Sequence, residues 1–381
     1  MGKNIGQMKK HINYSLLIVS TVLLTFGVLF LATLSAIASL NAFGNTNYYL
    51  FHQLVAVGIG IIAGFCMYKI SLDWLKKLAL PLLILNLLLL ASVFIPLLGS
   101  KFWGASRWIS IGFITLQPSE FLKITAILYL SAFLSTKFSE NVKRGFMAAA
   151  KKSYQNGIHV FLPFVFLLLT INGLLFLQKD LSTMSIVAGS LIAIYFIAGT
   201  PLWHTALLFV SGIAGALLLV KIEPYRVQRF LVFLHPETDV LGIGYQLKQS
   251  LLAIGSGGIF GKGLGMSTQK FGFLPSSMAD SIFAIIGEEL GIIGCVLLIL
   301  LFIFFFWQCV RIAKSSTDKF SKLTVVGICT WILSQAFMNI ASTLGIFPLA
   351  GIPLPFFSYG GSHIIAELIA IGLLLNISKN T

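Results

Sequence analysis

Apolar runs close to twenty residues long recur along the whole chain, separated by short polar stretches. A run of that length is what an α-helix needs to cross the roughly 30 Å hydrocarbon core of a bilayer. The pattern predicts ten spans, at about 15–40, 50–68, 78–98, 118–136, 158–177, 183–199, 202–221, 281–309, 323–343 and 362–378. The first run follows Lys3, Lys9 and Lys10, is longer than a signal-peptide core and has no clear small-residue cleavage site, so it reads as a retained helix. The predicted fold class is an all-α polytopic membrane protein of about ten transmembrane helices. A large extracytoplasmic loop, residues 222–280, joins helices 7 and 8, and residues 1–381 form a single integral membrane domain. The weak symmetry between halves that an inverted-repeat transporter carries is not visible.

Loop charges set the orientation. One set of loops holds the N-terminal lysines, Lys69, Lys76 and Lys77, the cluster from Lys137 to Lys152, the cluster from Arg311 to Lys322, and Lys379. The alternate set holds Lys101, Arg107, Lys179 and a group in the long loop: Arg226, Arg229, Lys248, Lys262 and Lys270. This bias predicts both termini in the cytoplasm and residues 222–280 outside, in a multi-pass protein of the bacterial cytoplasmic membrane. The long loop breaks the charge rule of the rest of the chain. A cationic loop on that face implies an anionic ligand met at the outer membrane surface.

Composition agrees with the pattern. Of 381 residues 57% are hydrophobic and 10% charged, with mean hydropathy +0.95, far outside the soluble range. The formal net charge of +14 would raise nucleic acid as a partner for a soluble protein. Here the lysines read as anchors at the membrane face, so the expected partner is the membrane and no nucleic acid. Cys66, Cys295, Cys309 and Cys329 all fall inside apolar runs without paired spacing and read as small packing residues. The six histidines show no metal spacing, and no metal site is expected.

Acidic residues are scarce, and those near spans carry the most information. A lone carboxylate in hydrocarbon costs several kcal/mol, so it pairs or lines a wet cavity. Glu120 has Lys123 one helical turn away. The pair is either a structural ion pair or one that faces a central cavity. Asp280 stands at the start of the eighth span. It is either a helix cap, favoured by the dipole, or a general base able to take a proton from a sugar hydroxyl. Gly255–Gly265 is glycine-dense and contains Lys262. It is either a phosphate cradle of backbone N–H groups or a tight re-entrant turn covered by protein. Trp108 suits an aromatic belt, whereas Arg107 adds to the cationic outer face.

Read in order, several segments resemble the SEDS family (shape, elongation, division, sporulation; FtsW, RodA and SpoVE). They are Gly104-Ala-Ser-Arg-Trp-Ile109, Gln117-Pro-Ser-Glu120, Asp180-Leu181, Tyr225-Arg226, Gly244 through Gly265, Phe273-Leu-Pro275, Asp280, Phe283 through Gly291, and Gly351 through Gly361. The first of these, with Gly265-Met-Ser-Thr-Gln269, lies closer to FtsW than to RodA. Departures from the family pattern are Ser276, Met278, Ala279 and Ser281 around Asp280, Lys179 and Ser182 around Asp180, and His363 where the family has serine.

The resemblance implies a peptidoglycan glycosyltransferase acting on lipid II, a disaccharide-pentapeptide on undecaprenyl diphosphate, with Asp280 at the place of the family's catalytic carboxylate. Asp280 is expected to take the proton of the acceptor's 4-hydroxyl, whose oxygen attacks the donor's anomeric carbon with inversion. Charge on the departing diphosphate needs cations. The expected substrate-binding residues are Arg107, Trp108, Arg226, Arg229, Gln249, Ser256, Gly257, Gly258 and Lys262, with no certain cofactor and a divalent cation (Mg or Mn) left open. The resemblance also implies a class B penicillin-binding protein transpeptidase as partner. Two other readings are open: a lipid II flippase, which fits the same substrate, and a non-catalytic scaffold that activates the transpeptidase, with the outer loop as its interaction surface and Asp280 as a cap.

Overall fold

The computed structural model describes residues 12–95, 99–102, 105–111, 114–137, 157–222, 224–235 and 242–380. Each of the ten predicted spans coincides with a helix. These are α1 (Tyr14–Phe43), α2 (Tyr48–Lys69), α3 (Leu72–Ser92), α4 (Pro118–Lys137), α5 (Leu162–Leu177), α6 (Leu181–Ile197) and α7 (Leu202–Ile222). After the long loop come α10 (Ile282–Ser315), α11 (Lys319–Thr343) and α12 (Gly361–Lys379). Among the described residues, 7 helices are long and apolar enough by themselves to cross a membrane. α4 carries three charges, and α6 is only 17 residues long, so these depend on their neighbours within the bundle.

Polar caps place the helix ends. Asn13 accepts the Leu16 N–H at the start of α1 and Asp318 accepts the Ser321 N–H at the start of α11. Ser71 accepts the Trp74 N–H and starts α3 six residues before the apolar pattern does, which is why the third helix covers 72–92 instead of 78–98.

The long loop is itself partly helical. It contains α8 (Pro224–Leu234) and α9 (Ile243–Gly257). The loop between α3 and α4 is not helical: β1 (Gly99–Phe102), β2 (Ala105–Ile111) and β3 (Ile114–Leu116) form an antiparallel sheet in that order. Its β2–β3 register pairs Ile109 with Leu116 and Ser110 with Thr115.

α11 packs against α4, α6 and α10, and α12 packs against α2. The α2–α12 contact is a small-residue crossing: a Cβ on Gly372 would lie 2.0 Å from the Gly64 carbonyl oxygen, so only glycine lets the two backbones meet there. Large apolar side chains such as Leu85, Leu88 and Phe166 point outward, as a lipid-facing surface requires. The four cysteines are free.

Candidate active site

Asp280 sits in a turn just before α10. The N-cap of that helix is Ser281, not Asp280, so the carboxylate is not spent on the helix end. The turn is tight: the Ala279 and Ser281 N–H groups both donate to the Ser276 carbonyl, and Ser276 takes a positive φ of 52° to allow it. Such backbone strain in a non-glycine residue persists only where the surroundings enforce it. Gln246 of α9 donates to the Ser281 hydroxyl at 3.0 Å and reaches Asp280 Oδ2 at 3.5 Å. Asp280 Oδ1 is shielded from solvent and receives no donor. Burial raises the Asp280 pKa above the ordinary carboxylate value, while its own N–H, Gln246, the Arg229 guanidinium and Ser276 act the other way.

Beside this carboxylate lies a cavity of about 890 Å³, within the size range of ligand sites. Its interior is apolar, with Leu168, Leu169, Leu208, Phe230 and Phe233 from α5, α7 and α8; Arg107, Lys179 and Arg229 bring positive charge to its wall. The segment Pro348–Gly351 divides the cavity from Asp280: Gly351 lines the cavity, and a Cβ on it would stand 3.8 Å from Asp280 Oδ2. Arg229 joins the two, since Nη1 donates to the Leu349 carbonyl at 2.9 Å and its charge acts on Asp280. Arg107 reaches from β2 to the start of α6. Its Nε donates to the Gln178 carbonyl at 3.2 Å, a second nitrogen donates to the Lys179 carbonyl, and Nη1 lies 4.0 Å from Asp180 Oδ1.

The glycine run builds something else. α10 is broken at Gly291 (φ 67°, ψ −164°), and the break frees backbone groups that the run takes up. Lys262 and Gly263 N–H groups donate to the Glu288 and Glu289 carbonyls at 2.9 and 3.0 Å, and the Ile292 N–H donates to the Gly258 carbonyl at 2.9 Å. A Cβ on Gly257 would lie 2.0 Å from the Gly287 carbonyl oxygen, which is why glycine is needed there. The two buried carboxylates gather the rest of the loop. Glu288 pairs with Lys262 Nζ at 2.7 Å and accepts from Ser267 and Thr268, and Glu289 accepts the Gly265 N–H at 2.9 Å.

The candidates of the sequence therefore fall into separate places. Asp280, Arg229 and Arg107 gather around the cavity and its wall. Lys262 is paired with Glu288, and Gln249 accepts from Gln269 at 3.2 Å. The Ser256 hydroxyl donates to the Ala253 carbonyl at 2.9 Å, and Gly257 and Gly258 belong to the re-entrant packing. Trp108 is half-buried in β2 opposite Ser100. Arg226 is on α8, and its side chain lies outside the described residues. Glu120 and Lys123 do not line this cavity. They are buried in a network with Gln335, His363 and Glu367: Lys123 donates to Glu120 at 2.8 Å and to Gln335 at 3.1 Å, His363 Nδ1 lies 3.2 Å from Glu120, and His363 Nε2 lies 3.1 Å from Glu367. Gln246, which reaches toward the Asp280 carboxylate, has no sequence signal beyond standing one turn before Gln249.

Comparisons with known proteins match the chain along nearly its whole length. The model of the family described as "Cell cycle protein" (FTSW_RODA_SPOVE) matches residues 14–381. Stage V sporulation protein E of Bacillus subtilis is 38% identical over 367 residues, covering 96% of each chain. The Coxiella burnetii protein named "Probable peptidoglycan glycosyltransferase FtsW" is 36% identical over 382 residues, covering 98% of this chain and 99% of its own. Among solved structures, a chain from "Structural coordination of polymerization and crosslinking by a peptidoglycan synthase complex" superposes with TM-score 0.74 at 26% identity, covering 97% of this chain and 98% of that one. The Thermus thermophilus rod shape determining protein RodA gives 0.69 at 25% identity, covering 97% of each. With the family model spanning all but the first residues and both relatives matching nearly end to end, the chain belongs to the FtsW, RodA and SpoVE family.

Proposed function

We propose that this membrane protein is a peptidoglycan glycosyltransferase that polymerises lipid II into β-1,4-linked glycan, with Asp280 as general base. The activity class follows the names of the full-length relatives. One observation supports the site assignment above the others: Asp280 Oδ1 is shielded and without a donor, and its carboxylate lies behind the Pro348–Gly351 segment that walls an apolar cavity carrying Arg229.

In the proposed reaction the acceptor's 4-hydroxyl donates its proton to Asp280. Its oxygen bonds to the donor's anomeric carbon as the bond from that carbon to the diphosphate oxygen breaks, and the electron pair leaves with the diphosphate. Attack from the face opposite the leaving group inverts the centre. Burial that raises the Asp280 pKa makes it a stronger base than a solvated carboxylate. Arg229 and Arg107, with Lys179 on the same cavity wall, are assigned the charge developing on the diphosphate. The apolar interior suits a polyprenyl chain. Among the described residues no three His, Cys, Asp or Glu side chains cluster to hold a metal, so a divalent cation (Mg or Mn) would have to be held largely by the diphosphate itself. Lys262, Gln249, Ser256, Gly257 and Gly258 are assigned to shaping the loop.

The direct test is polymerisation of lipid II by the purified protein with its class B penicillin-binding protein transpeptidase. Asp280→Asn should reduce glycan formation by roughly 10²–10⁴-fold with insertion unchanged and the thermal midpoint not lowered. Near-normal product would remove Asp280 from the chemistry. Transbilayer movement of a labelled lipid without polymer would instead point to a flippase. The same reading puts the long loop outside and both termini in the cytoplasm. In a variant lacking the native cysteines, Lys248→Cys should react with an impermeant thiol reagent on intact cells and Thr317→Cys only after permeabilisation. The reverse labelling would invert the orientation.

A further inference from the structure

We infer that Asn339 is a positioning residue that fixes the Asp280 turn to the rigid part of the bundle. This rests on the reading of Asp280 as the base. Asn339 is completely buried on α11. Its Nδ2 donates to the Asp280 carbonyl at 2.8 Å and to the Ile352 carbonyl at 2.7 Å. An amide in an apolar span is costly unless its protons are used. Here both are used, and both on main chain from outside the helix. The two acceptors also fix which way the amide faces, because the opposite flip would set an oxygen against two carbonyls.

The turn is held along its length. The Tyr359 N–H donates to the Met278 carbonyl at 2.9 Å, the Ser358 hydroxyl to the Ala279 carbonyl, and Asn339 to that of Asp280. The first two donors lie on the irregular segment between α11 and α12, so they tie one loop to another. Asn339 alone of the three comes from a packed helix, and its second bond ties down that irregular segment at Ile352 as well. One turn earlier on the same face, Gln335 donates to the Pro353 carbonyl at 3.1 Å. A single face of α11 thus sets the spacing between the base-bearing turn and the 348–353 segment, which forms the cavity wall. Without Asn339 two buried carbonyls lose their donor and the turn shifts to find others. A general base is sensitive to displacements of about 1 Å.

A second asparagine supplies the control. Asn376 on α12 grips two carbonyls in the same way, Met67 at 2.7 Å and Ile70 at 2.6 Å, but at the α2–α3 junction and with no contact to the Asp280 turn. Asn339→Ala and Asn376→Ala are compared in lipid II polymerisation and in thermal midpoint. Asn339→Ser, which keeps one donor, covers the case in which the alanine variant does not fold. The expected result is a fall in kcat of about 10- to 100-fold for Asn339→Ala, with KM within about threefold and the acid limb of the pH profile displaced. Asn339→Ser should be intermediate, and Asn376→Ala should keep kcat despite a similar loss of midpoint. Equal losses of kcat in both alanine variants would reduce Asn339 to a structural residue and overturn the inference. An inactive Asp280→Asn beside a fully active Asn339→Ala overturns this inference alone, whereas a fully active Asp280→Asn overturns the base assignment and this inference with it.

Discussion

At the scale of residues, the pH response of Asp280 follows from its surroundings. Burial raises its pKa from the ordinary value of 3.8, so the folded protein holds that proton at pH values where the unfolded chain has released it. Stability from this group therefore falls as pH rises between 3.8 and the raised folded value, and levels off above it. Activity runs the opposite way, because only the ionised form accepts a proton. The acid limb of kcat/KM for polymerisation should thus have its midpoint above that of a solvated aspartate. A rate that stays flat down to pH about 4 would mean that the group controlling activity is an unperturbed carboxylate or none at all. The sequence singled out Asp280 as an acid at the mouth of an apolar span, but left it a helix cap or a base; the choice of base came from the family resemblance. Gln246 and Asn339 were not singled out. Each is a neutral polar residue whose role depends on a partner 34 or 59 positions away, and helical periodicity carries no information about such distant contacts. Lys262 shows the same limit: its setting in a glycine run left a phosphate cradle or a re-entrant turn open, and its partner Glu288 lies 26 positions downstream, out of reach of any local pattern.

At the scale of elements, the spans were readable because hydrocarbon thickness fixes both their length and their composition. The break in α10 was not readable, since Gly291 stands in an apolar stretch like any helical glycine. What requires it is the re-entrant run packed against Glu288 and Glu289. α8 and α9 were hidden in a loop whose polarity masked short helices, and β1–β3 in one too short to show an alternating pattern. The glycine run yields a paired prediction. Gly261 has φ 80° and a Cβ there would lie 2.1 Å from the Glu289 carbonyl oxygen. Gly255 lies in α9 with open space around its Cβ position. Gly261→Ala should cost at least about 2 kcal/mol from left-handed strain and clash. Gly255→Ala should be neutral or stabilise by about 0.5–1 kcal/mol through helix propensity. Thermal unfolding in detergent measures both. Similar midpoints for the two variants would mean that the run is not packed against α10 as described.

At the scale of the molecule, α4, α11 and α12 are joined by a charged network inside an otherwise apolar bundle. Glu120, Lys123, His363 and Glu367 are all buried, and with His363 protonated their charges sum to zero. Lys123 also lies 5.0 Å from the Trp331 ring centre, and Glu367 accepts the Phe356 N–H at 2.8 Å, so the network reaches the irregular segment that bears the cavity wall. His363 and Glu367 stand one turn apart on α12 with 3.1 Å between Nε2 and the carboxylate, so each buried charge has the other as a near partner. Removing one partner leaves the other buried and uncompensated, at a cost of about 3–5 kcal/mol, whereas removing both to neutral groups is far milder. His363→Ser and Glu367→Leu should therefore each destabilise more than the double variant does, with a coupling energy of about 1–3 kcal/mol in the cycle. Purely additive losses would mean that the two side chains do not share a charge across the 3.1 Å between them, and that Glu367 is held by Phe356 alone. A coupling in that range would identify this pair as part of the charge balance that holds the junction of α4, α11 and α12 together.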